Sequence, residues 1–400
     1  MALPALRNLD AFPVEQDGYT FICLRDPEGY MDEHILLSPQ AFFIACLLDG
    51  KIEIPQIQEA FSREFEGILV SPDDIFKIIN QLDHLGALMT ENYLHMKRKV
   101  ESDFRNLPVR PAYFAGKSYP DKAADLKVFL DGLFTKEGGP GEKAVSGGAG
   151  NPARLLIAPH IDFLRGGHSY AHGYLDYFKH GKPETVFIFG VAHWAPPAPF
   201  ILTRKNFETP FGVIETDLEI VTRLETACDW DPYEYETIHR MEHSIEFQTV
   251  MLSYLFGNNM KIVPVLCGSF LNQQEAITKF LNACRELLEL RGEKASVIAG
   301  ADLAHVGRRF GDDFDIDRRI VNQVESRDRE DLTHALAGNA DLFYESVMKD
   351  ENSRRVCGLN AIYSALKISD GKISGGKLLH YGYAPDPSGG IVSFANILFK

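Results

Sequence analysis

The stretch ARLLIAPHIDFLRGGHSYAHGYLDYFKHGKPETVFIFGVAH, residues 153–193, decides the fold of the larger part of this chain. It contains two short, unbroken apolar runs, at 155–158 and 186–189, separated by a segment of helical length. This pattern is typical of a βαβ unit, and we expect the two runs to be neighbouring, buried, parallel strands. A histidine follows each run, His160 after the first and His193 after the second. The sequence therefore predicts two imidazoles at one edge of a parallel sheet.

Further polar residues follow another apolar run, at 297–300. Asp302 and His305 lie in GADLAH, directly after that run. In an open α/β sheet, ligands bind in the crevice outside the carboxyl ends of the strands, so these side chains are expected to face the two histidines. His243, in MEHSIEFQ, is expected to face the same crevice from the start of a helix.

This combination of donors predicts a metal site. Two histidines with a carboxylate and open positions suit non-haem iron(II), three histidines suit zinc, and imidazole also suits copper. The candidate ligands are His160, His193, His305 and Asp302, and Asp302 could instead orient a histidine as a hydrogen-bond acceptor. His243 is the candidate catalytic acid or base. A second pair, His168 and His172, lies four residues apart on a predicted helix, where packing or solvation is the expected role.

The rest of the chain supports an α/β fold. Apolar runs at 262–266 and 297–300 flank a helix at 273–290, and this alternation favours a mainly parallel sheet with helices on both faces. Runs at 377–384 and 391–398 flank a turn and predict a closing hairpin.

The first hundred residues have a different pattern. A hairpin, three short helices and a strand at 87–93 predict a small winged-helix-like α+β domain, similar to PqqD-like modules that bind a peptide partner. The predicted third helix, PDDIFKIINQLDHLG, carries one lysine and three aspartates, which argues against a DNA-recognition helix. We therefore expect a domain at 1–105 and an α/β domain at 106–400.

Composition excludes some partners. With 41 basic and 56 acidic residues, the formal net charge is −15, which disfavours nucleic acid and anionic membranes. Neither a signal peptide nor an apolar window of membrane-spanning length occurs, so a cytoplasmic protein is expected. The six cysteines are scattered without a CxxC pair, which favours a reducing compartment.

Several stretches, taken in order, give the α/β part a family resemblance. The chain resembles the Memo family, called AmmeMemoRadiSam system protein B in prokaryotes, in APHIDFLRGGHSYAHGY (158–174), FIFGVAHW (187–194), HSIEFQ (243–248), PVLCGSF (264–270) and DLAHVGRRFG (302–311). AYFAGKSYP (112–120) and CGLNAIY (357–363) match the flanking segments of that family. The resemblance covers about residues 108–400 and leaves the N-terminal module outside.

The resemblance implies a fold like that of class III extradiol dioxygenases, which hold iron(II) with two histidines and a carboxylate. His160 and His193 match the metal histidines, and His243 matches the acid/base histidine. The resemblance also implies a cysteine ligand directly before a histidine, but this chain has Ala304 there. A soft, thiolate-containing site is therefore not expected, and Asp302 or His305 would complete the site, or the metal would be absent. Iron is the expected metal, with copper or zinc as alternatives.

Three functions follow from these expectations. The first is a metal-dependent, dioxygenase-like oxidoreductase acting on a phenolic or enolic substrate. The second is a non-catalytic protein that binds a small molecule, peptide or partner protein in the same crevice, and Ala304 favours this alternative. The third is metal-assisted hydrolysis at a zinc site. The resemblance also implies a radical-SAM protein and an AMMECR1-like protein as partners.

Overall fold

A computed structural model of the chain describes residues 2–16, 18–31, 33–145, 147–194 and 196–400. The chain divides into two compact units, Met1–Asn106 and Leu107–Lys400. The sequence predicts a domain boundary between residues 105 and 106, one residue before the boundary between these two units. Among the described residues, no helix is both long and apolar enough to cross a membrane.

Among its described residues, the first unit contains a three-stranded antiparallel sheet and four helices. Its elements are β1 (Asp10–Gln16), β2 (Tyr19–Arg25), β3 (Ile35–Leu37), α1 (Pro39–Leu47), α2 (Ile54–Glu64), α3 (Pro72–His84) and α4 (Glu91–Asn106). The third helix begins as its sequence predicts, because the Ser71 hydroxyl accepts a hydrogen bond from the Asp74 N–H at 3.1 Å and proline occupies the first turn. Ile75, Ile79 and Leu82 of this helix are buried in the core of the unit.

Two details of this unit differ from the sequence prediction. The strand expected at 87–93 is wrong, because only an isolated bridge joins Leu6 to Leu88 and helix α4 begins at Glu91. Strand β1 was not predicted, since Pro13 interrupts a mostly exposed segment that has little apolar patterning. The winged-helix-like character of this unit stays a prediction.

The second unit is a large sheet with helices on both faces, as the sequence predicts. Its strands are β4 (Val109–Arg110), β5 (Leu155–Ala158), β6 (Thr185–Val191), β7 (Phe200–Leu202), β8 (Asn206–Thr209), β9 (Gly212–Thr216), β10 (Lys261–Cys267), β11 (Ala295–Gly300), β12 (His305–Val306), β13 (Lys377–Asp386) and β14 (Gly390–Phe399). Its helices are α5 (Ala123–Thr135), α6 (Phe163–Phe178), α7 (Leu218–Glu225), α8 (His243–Phe256), α9 (Gln274–Arg291), α10 (Arg318–Leu336), α11 (Ala340–Met348) and α12 (Leu359–Ser369). Short 3-10 turns occur at Glu236–Met241, Gly292–Lys294 and Arg308–Phe310.

Within the described residues, the strand order is β12-β14-β5-β11-β6-β10-β9-β8-β4, with β13 paired to β14 and β7 to β10. Strands β5, β11, β6, β10 and β9 are parallel. The predicted closing hairpin is confirmed as β13 and β14. The expectation that the strands before His160 and His193 are neighbours is wrong, because β11 lies between them and pairs with both.

Two cores lie on opposite faces of this sheet. Along β5, Leu155 and Ile157 belong to one core, whereas Leu156 and Ala158 belong to the other. This alternation is the two-residue period of a strand, and the fully apolar composition reflects burial on both faces. Helices α5, α6 and α8 contribute to one core, and α7, α9, α11 and α12 to the other. The parallel strands therefore end together at one edge between two helical layers.

Candidate metal centre

His160 lies two residues beyond the end of β5 and is fully buried. Its Nδ1 is 2.9 Å from the carbonyl oxygen of Gly300, at the end of β11, and its backbone N–H donates to Asp302 at 2.9 Å. Because a carbonyl oxygen only accepts hydrogen bonds, Nδ1 carries the proton and Nε2 keeps its lone pair. Burial lowers the pKa of His160 to about 3, so the ring is neutral at pH 7 and suited to binding a metal.

His193 lies two residues beyond β6, and about one third of its side chain (34%) is exposed. Its Nδ1 is 2.9 and 3.1 Å from the two carboxylate oxygens of Glu242. A carboxylate in this position fixes the orientation of a metal-binding histidine and leaves Nε2 for the ion. Burial opposes charge on both groups, but their mutual attraction outweighs it. The pKa of His193 is raised well above its usual value, and that of Glu242 is lowered.

His243 is the first residue of α8, directly after the N-cap residue Glu242. The Glu242 carboxylate accepts from the Ser244 N–H at 3.0 Å and lies 3.4 Å from Nδ1 of His243. Helix α8 reaches this position because residue 300 has no side chain: a Cβ on Gly300 would lie 2.3 Å from the Ser244 carbonyl oxygen. Burial lowers the pKa of His243 to about 3, which makes this ring neutral as well.

The three imidazoles form one cluster. The ring centroids of His160 and His193 are 5.0 Å apart, those of His160 and His243 are 5.1 Å apart, and those of His193 and His243 are 4.8 Å apart. One nitrogen from each ring lies within 4.8 Å of the others. Metal–nitrogen bonds are about 2.0–2.1 Å long, so small rotations of these side chains bring the nitrogens around a common ion. The cluster can therefore hold a metal ion.

A thiol from a distant part of the chain joins the cluster. Cys357 Sγ lies 3.2 Å from His160 Nε2, the nitrogen that has its lone pair free. The family resemblance implied a cysteine ligand at position 304, so no thiolate was expected in this chain, where Ala304 is buried and has no ligand atom. Cys357 was not among the predicted ligands, although it lies two residues before the start of α12 and within the quoted stretch CGLNAIY. Its place before a helix was the available signal. Two imidazoles and a thiol fit a borderline or soft metal ion.

Cys357 reaches His160 because the residue after it is glycine. The Gly358 N–H donates to the Asp302 carbonyl at 3.0 Å, and a Cβ at position 358 would lie 2.5 Å from that oxygen and 2.6 Å from the Cβ of Ala301. The approach loop is also constrained, since Asn352 has a φ of 54° and its amide side chain bonds both backbone groups of Val356. Close backbone contact therefore holds the thiol at the strand edge.

The two remaining candidate ligands lie beside the cluster. Asp302 Oδ2 is 3.7 Å from His160 Nε2, while Oδ1 accepts from the His160 N–H, and burial raises the pKa of Asp302 to about 6. The Nδ1 of His305 is 3.1 Å from the Leu303 carbonyl, and its ring packs edge-on against Phe310. In the part of the chain that the structure describes, the group of side chains that could hold a metal ion consists of three histidines and includes neither Asp302, His305 nor Cys357.

A buried ion pair supports the helix start that carries Glu242 and His243. Arg110 and Glu246 are fully buried and bonded to each other at 2.5 Å. Arg110 also donates to the backbone carbonyls of His239 and Glu242, at 2.5 and 2.9 Å. Glu246 accepts from the Phe114 N–H at 2.8 Å, which brings that ring edge-on to His243, with 5.7 Å between centroids. Nothing in the spacing of these residues indicated this pair in the sequence.

Comparisons with known proteins identify related sequences. The family described as Memo-like protein matches residues 110–397. A MEMO1 family protein of Aquifex aeolicus is 28% identical over 398 residues, 99% of each chain, so the similarity includes the N-terminal unit. One from Ignicoccus hospitalis is 32% identical over 200 residues, 49% of this chain and 69% of that protein.

A third relative, from Thermus thermophilus, is 25% identical over 312 residues, 78% of this chain and 88% of that protein. Among solved structures, uncharacterized protein JW3007 from Escherichia coli K12 is similar with a TM-score of 0.41 and 12% identity, over 62% of this chain and all of that chain. The family match covers most of the second unit, including the residues of the histidine cluster and Cys357. The family predicted from the motifs is therefore confirmed: this chain belongs to the Memo family.

Proposed function

We propose that this chain is a metal-dependent oxidoreductase that holds one redox-active ion, iron in the first instance and copper as the alternative. The ligands would be Nε2 of His160, Nε2 of His193 and the sulfur of Cys357. The observation that carries this proposal is the position of the Cys357 thiol, 3.2 Å from His160 Nε2. The Nδ1 atoms of His160 and His193 both face hydrogen-bond acceptors, which leaves each Nε2 for the ion. The resulting donor set of nitrogen and sulfur suits iron and copper better than magnesium, calcium or manganese.

Once bound, the metal would supply a site for electron transfer and for polarising a substrate oxygen. His243 would move the proton. Its Nδ1 faces Glu242, so its other ring nitrogen is available to take a proton from, or return one to, a substrate hydroxyl group. The ring is stacked on His193 and 28% of its side chain is exposed, so a substrate hydroxyl group could reach it from solvent. A phenolic or enolic substrate is the class that the resemblance to extradiol dioxygenases implies.

Metal content tests the ligand assignment without knowledge of the substrate. The full chain would be purified without chelator and analysed by plasma mass spectrometry, with the visible absorption of a thiolate–metal bond as a second readout. We expect close to one iron per chain, and loss of most of the metal in His160→Ala. Cys357→Ser should lose the visible absorption and weaken metal binding, whereas His243→Ala should retain the ion.

Two results would overturn these roles. Metal-free protein after anaerobic reconstitution with iron(II) or copper(I) would reject the oxidoreductase proposal and favour the non-catalytic binding function. If His243→Ala lost the metal and Cys357→Ser retained it, the ligands would be the three histidines and not the thiol. Oxygen consumption with a panel of catechols, measured for the parent and for His243→Ala, then tests the reaction class.

The partner proteins expected from the family resemblance, a radical-SAM protein and an AMMECR1-like protein, stay a proposal. Purified candidates would be titrated with the full chain and followed by analytical ultracentrifugation. Complex formation would support the proposal, and the absence of a complex at micromolar concentrations would reject it.

A further inference from the structure

A small cavity in the second unit has three aromatic walls. It lies between the segment after β10, the start of α9, and helices α11 and α12, and its volume is about 150 Å³. Phe270, Tyr344 and Tyr363 line it. The Tyr363 ring is edge-on to both others, with centroid distances of 5.2 Å to Tyr344 and 6.2 Å to Phe270. Because a cavity of about this volume accommodates a benzene-sized ligand, a compact chemical group fits here.

The same cavity has an acidic rim. Asp341 and Glu345, both on α11 and both exposed, contribute to its lining, so the cavity opens to solvent on this side. The ammonium group of Lys367 donates to Asp341 at 2.7 Å and lies 5.6 Å from the centroid of Tyr363. A cation of the protein itself therefore already occupies the rim. Among the residues that the structure describes, no cation pairs with Glu345, so one negative charge at the rim is uncompensated.

We propose that this cavity, the Tyr363 cavity, binds a quaternary ammonium group. The faces of aromatic rings attract cations, and several rings around one space are the usual means of recognising quaternary ammonium ligands. A trimethylammonium group is close to benzene in size and weakly hydrated, so it fits the volume and loses little solvation on entry. Glu345 supplies the balancing charge. The group could belong to a free small molecule such as choline or to a trimethylated lysine of a protein.

The decisive experiment compares a charged ligand with a neutral ligand of nearly the same shape. Isothermal titration of the full chain, at constant ionic strength, would use choline and its neutral analogue 3,3-dimethylbutan-1-ol, in which carbon replaces nitrogen. We expect choline to bind at least about tenfold more tightly than the neutral analogue. A trimethyllysine peptide and its unmethylated form make the second pair, and the tighter of the two methylated ligands identifies the source.

Variants assign the binding to this cavity. Tyr344→Leu and Glu345→Gln should each weaken choline binding at least about fivefold, whereas Tyr344→Phe, which keeps the ring, should preserve it. Glu286→Gln, at an exposed glutamate of α9, is the matched control and should bind normally. His160→Ala should also bind choline normally, which separates this proposal from the metal site. Equal affinity for choline and its neutral analogue, or unchanged binding in Tyr344→Leu, would overturn the proposal.

Discussion

Glu242 connects three groups of the candidate site through one carboxylate. It accepts from Nδ1 of His193, it lies 3.4 Å from Nδ1 of His243, and it caps α8 by accepting from the Ser244 N–H. An acidic residue at the start of a helix ordinarily contributes a favourable interaction with the helix dipole. The position of Glu242 instead gives it control of two imidazoles, because a carboxylate on the second nitrogen sets the tautomer and direction of a histidine.

Replacing this carboxylate should weaken metal binding without removing a ligand. We expect Glu242→Gln to lower metal affinity about 10- to 100-fold, since the amide keeps the size of the side chain but loses the charge that orients His193. Competition against a chromophoric chelator would measure the dissociation constant. Glu234→Gln, at an exposed glutamate in the preceding segment, serves as the control. An unchanged affinity in Glu242→Gln would show that His193 needs no such partner.

Single residues also show how far the sequence predicts the site. His160, His193 and His243 could be placed because each directly follows or begins an element that apolar periodicity reveals. Cys357 could not be assigned to the site, since it is 197 positions from His160 and only the tertiary fold brings them together. The ion pair of Arg110 and Glu246 was not predicted for the same reason, because the two residues are 136 positions apart.

Among the secondary structure elements, α8 and α12 determine where the functional side chains lie. Both approach the carboxyl edge of the sheet at glycines, Gly300 for the start of α8 and Gly358 for the start of α12. Strand order, by contrast, could not be predicted from the apolar runs. A run of buried residues identifies a strand but carries no information on which strand pairs with it, and so the insertion of β11 between β5 and β6 was missed.

A methyl group at position 358 should displace α12 from the strand edge. In Gly358→Ala the new Cβ would lie 2.5 Å from the backbone oxygen of Asp302, so the segment carrying Cys357 must move. We expect a loss of about 1–3 kcal/mol in the free energy of unfolding, as for other overpacked sites, together with weaker metal binding. Denaturant titration and metal analysis measure the two effects. Gly150→Ala has open space around its Cβ and should show neither effect.

The buried ion pair behind α8 gives a second prediction for this element. Arg110→Met leaves the Glu246 carboxylate buried without its cation, and we expect this to cost about 3–5 kcal/mol of stability. Arg204→Met is the matched control, because Arg204 pairs with Glu225 but half of its side chain is exposed. That control should cost less than about 1 kcal/mol. Equal losses in the two variants would contradict the role given to burial.

At the scale of the whole molecule, buried neutral histidines make stability depend on pH. His239 is buried, its Nε2 is 3.2 Å from the Ile201 carbonyl, and burial lowers its pKa to about 3. In the unfolded chain the pKa of a histidine is about 6.5. The unfolded state therefore takes up a proton first as the pH falls, and the stability that His239 contributes above pH 6.5 is lost progressively between about pH 6.5 and 3.

The free energy of unfolding should consequently decrease on acidification, by up to about 1.4 kcal/mol per pH unit for this one group. His239→Gln, whose amide can still donate to the Ile201 carbonyl, should reduce that slope. Urea titrations followed by tryptophan fluorescence report on the second unit, because Trp194 and Trp230 both lie there. The same slope in the variant and the parent would show that His239 does not cause the acid sensitivity.

The position of β11 in the sheet has a consequence for biosynthesis. His160 and His193 are translated before β11, the strand that lies between β5 and β6 and contacts the His160 ring through Gly300. Cys357 is translated later still. A nascent chain that ends before these segments cannot build the centre, and contacts between distant parts of a chain form slowly. On the proposed ligand set, the complete metal site forms only after Cys357 has been translated, and a product truncated before this residue lacks the thiol ligand.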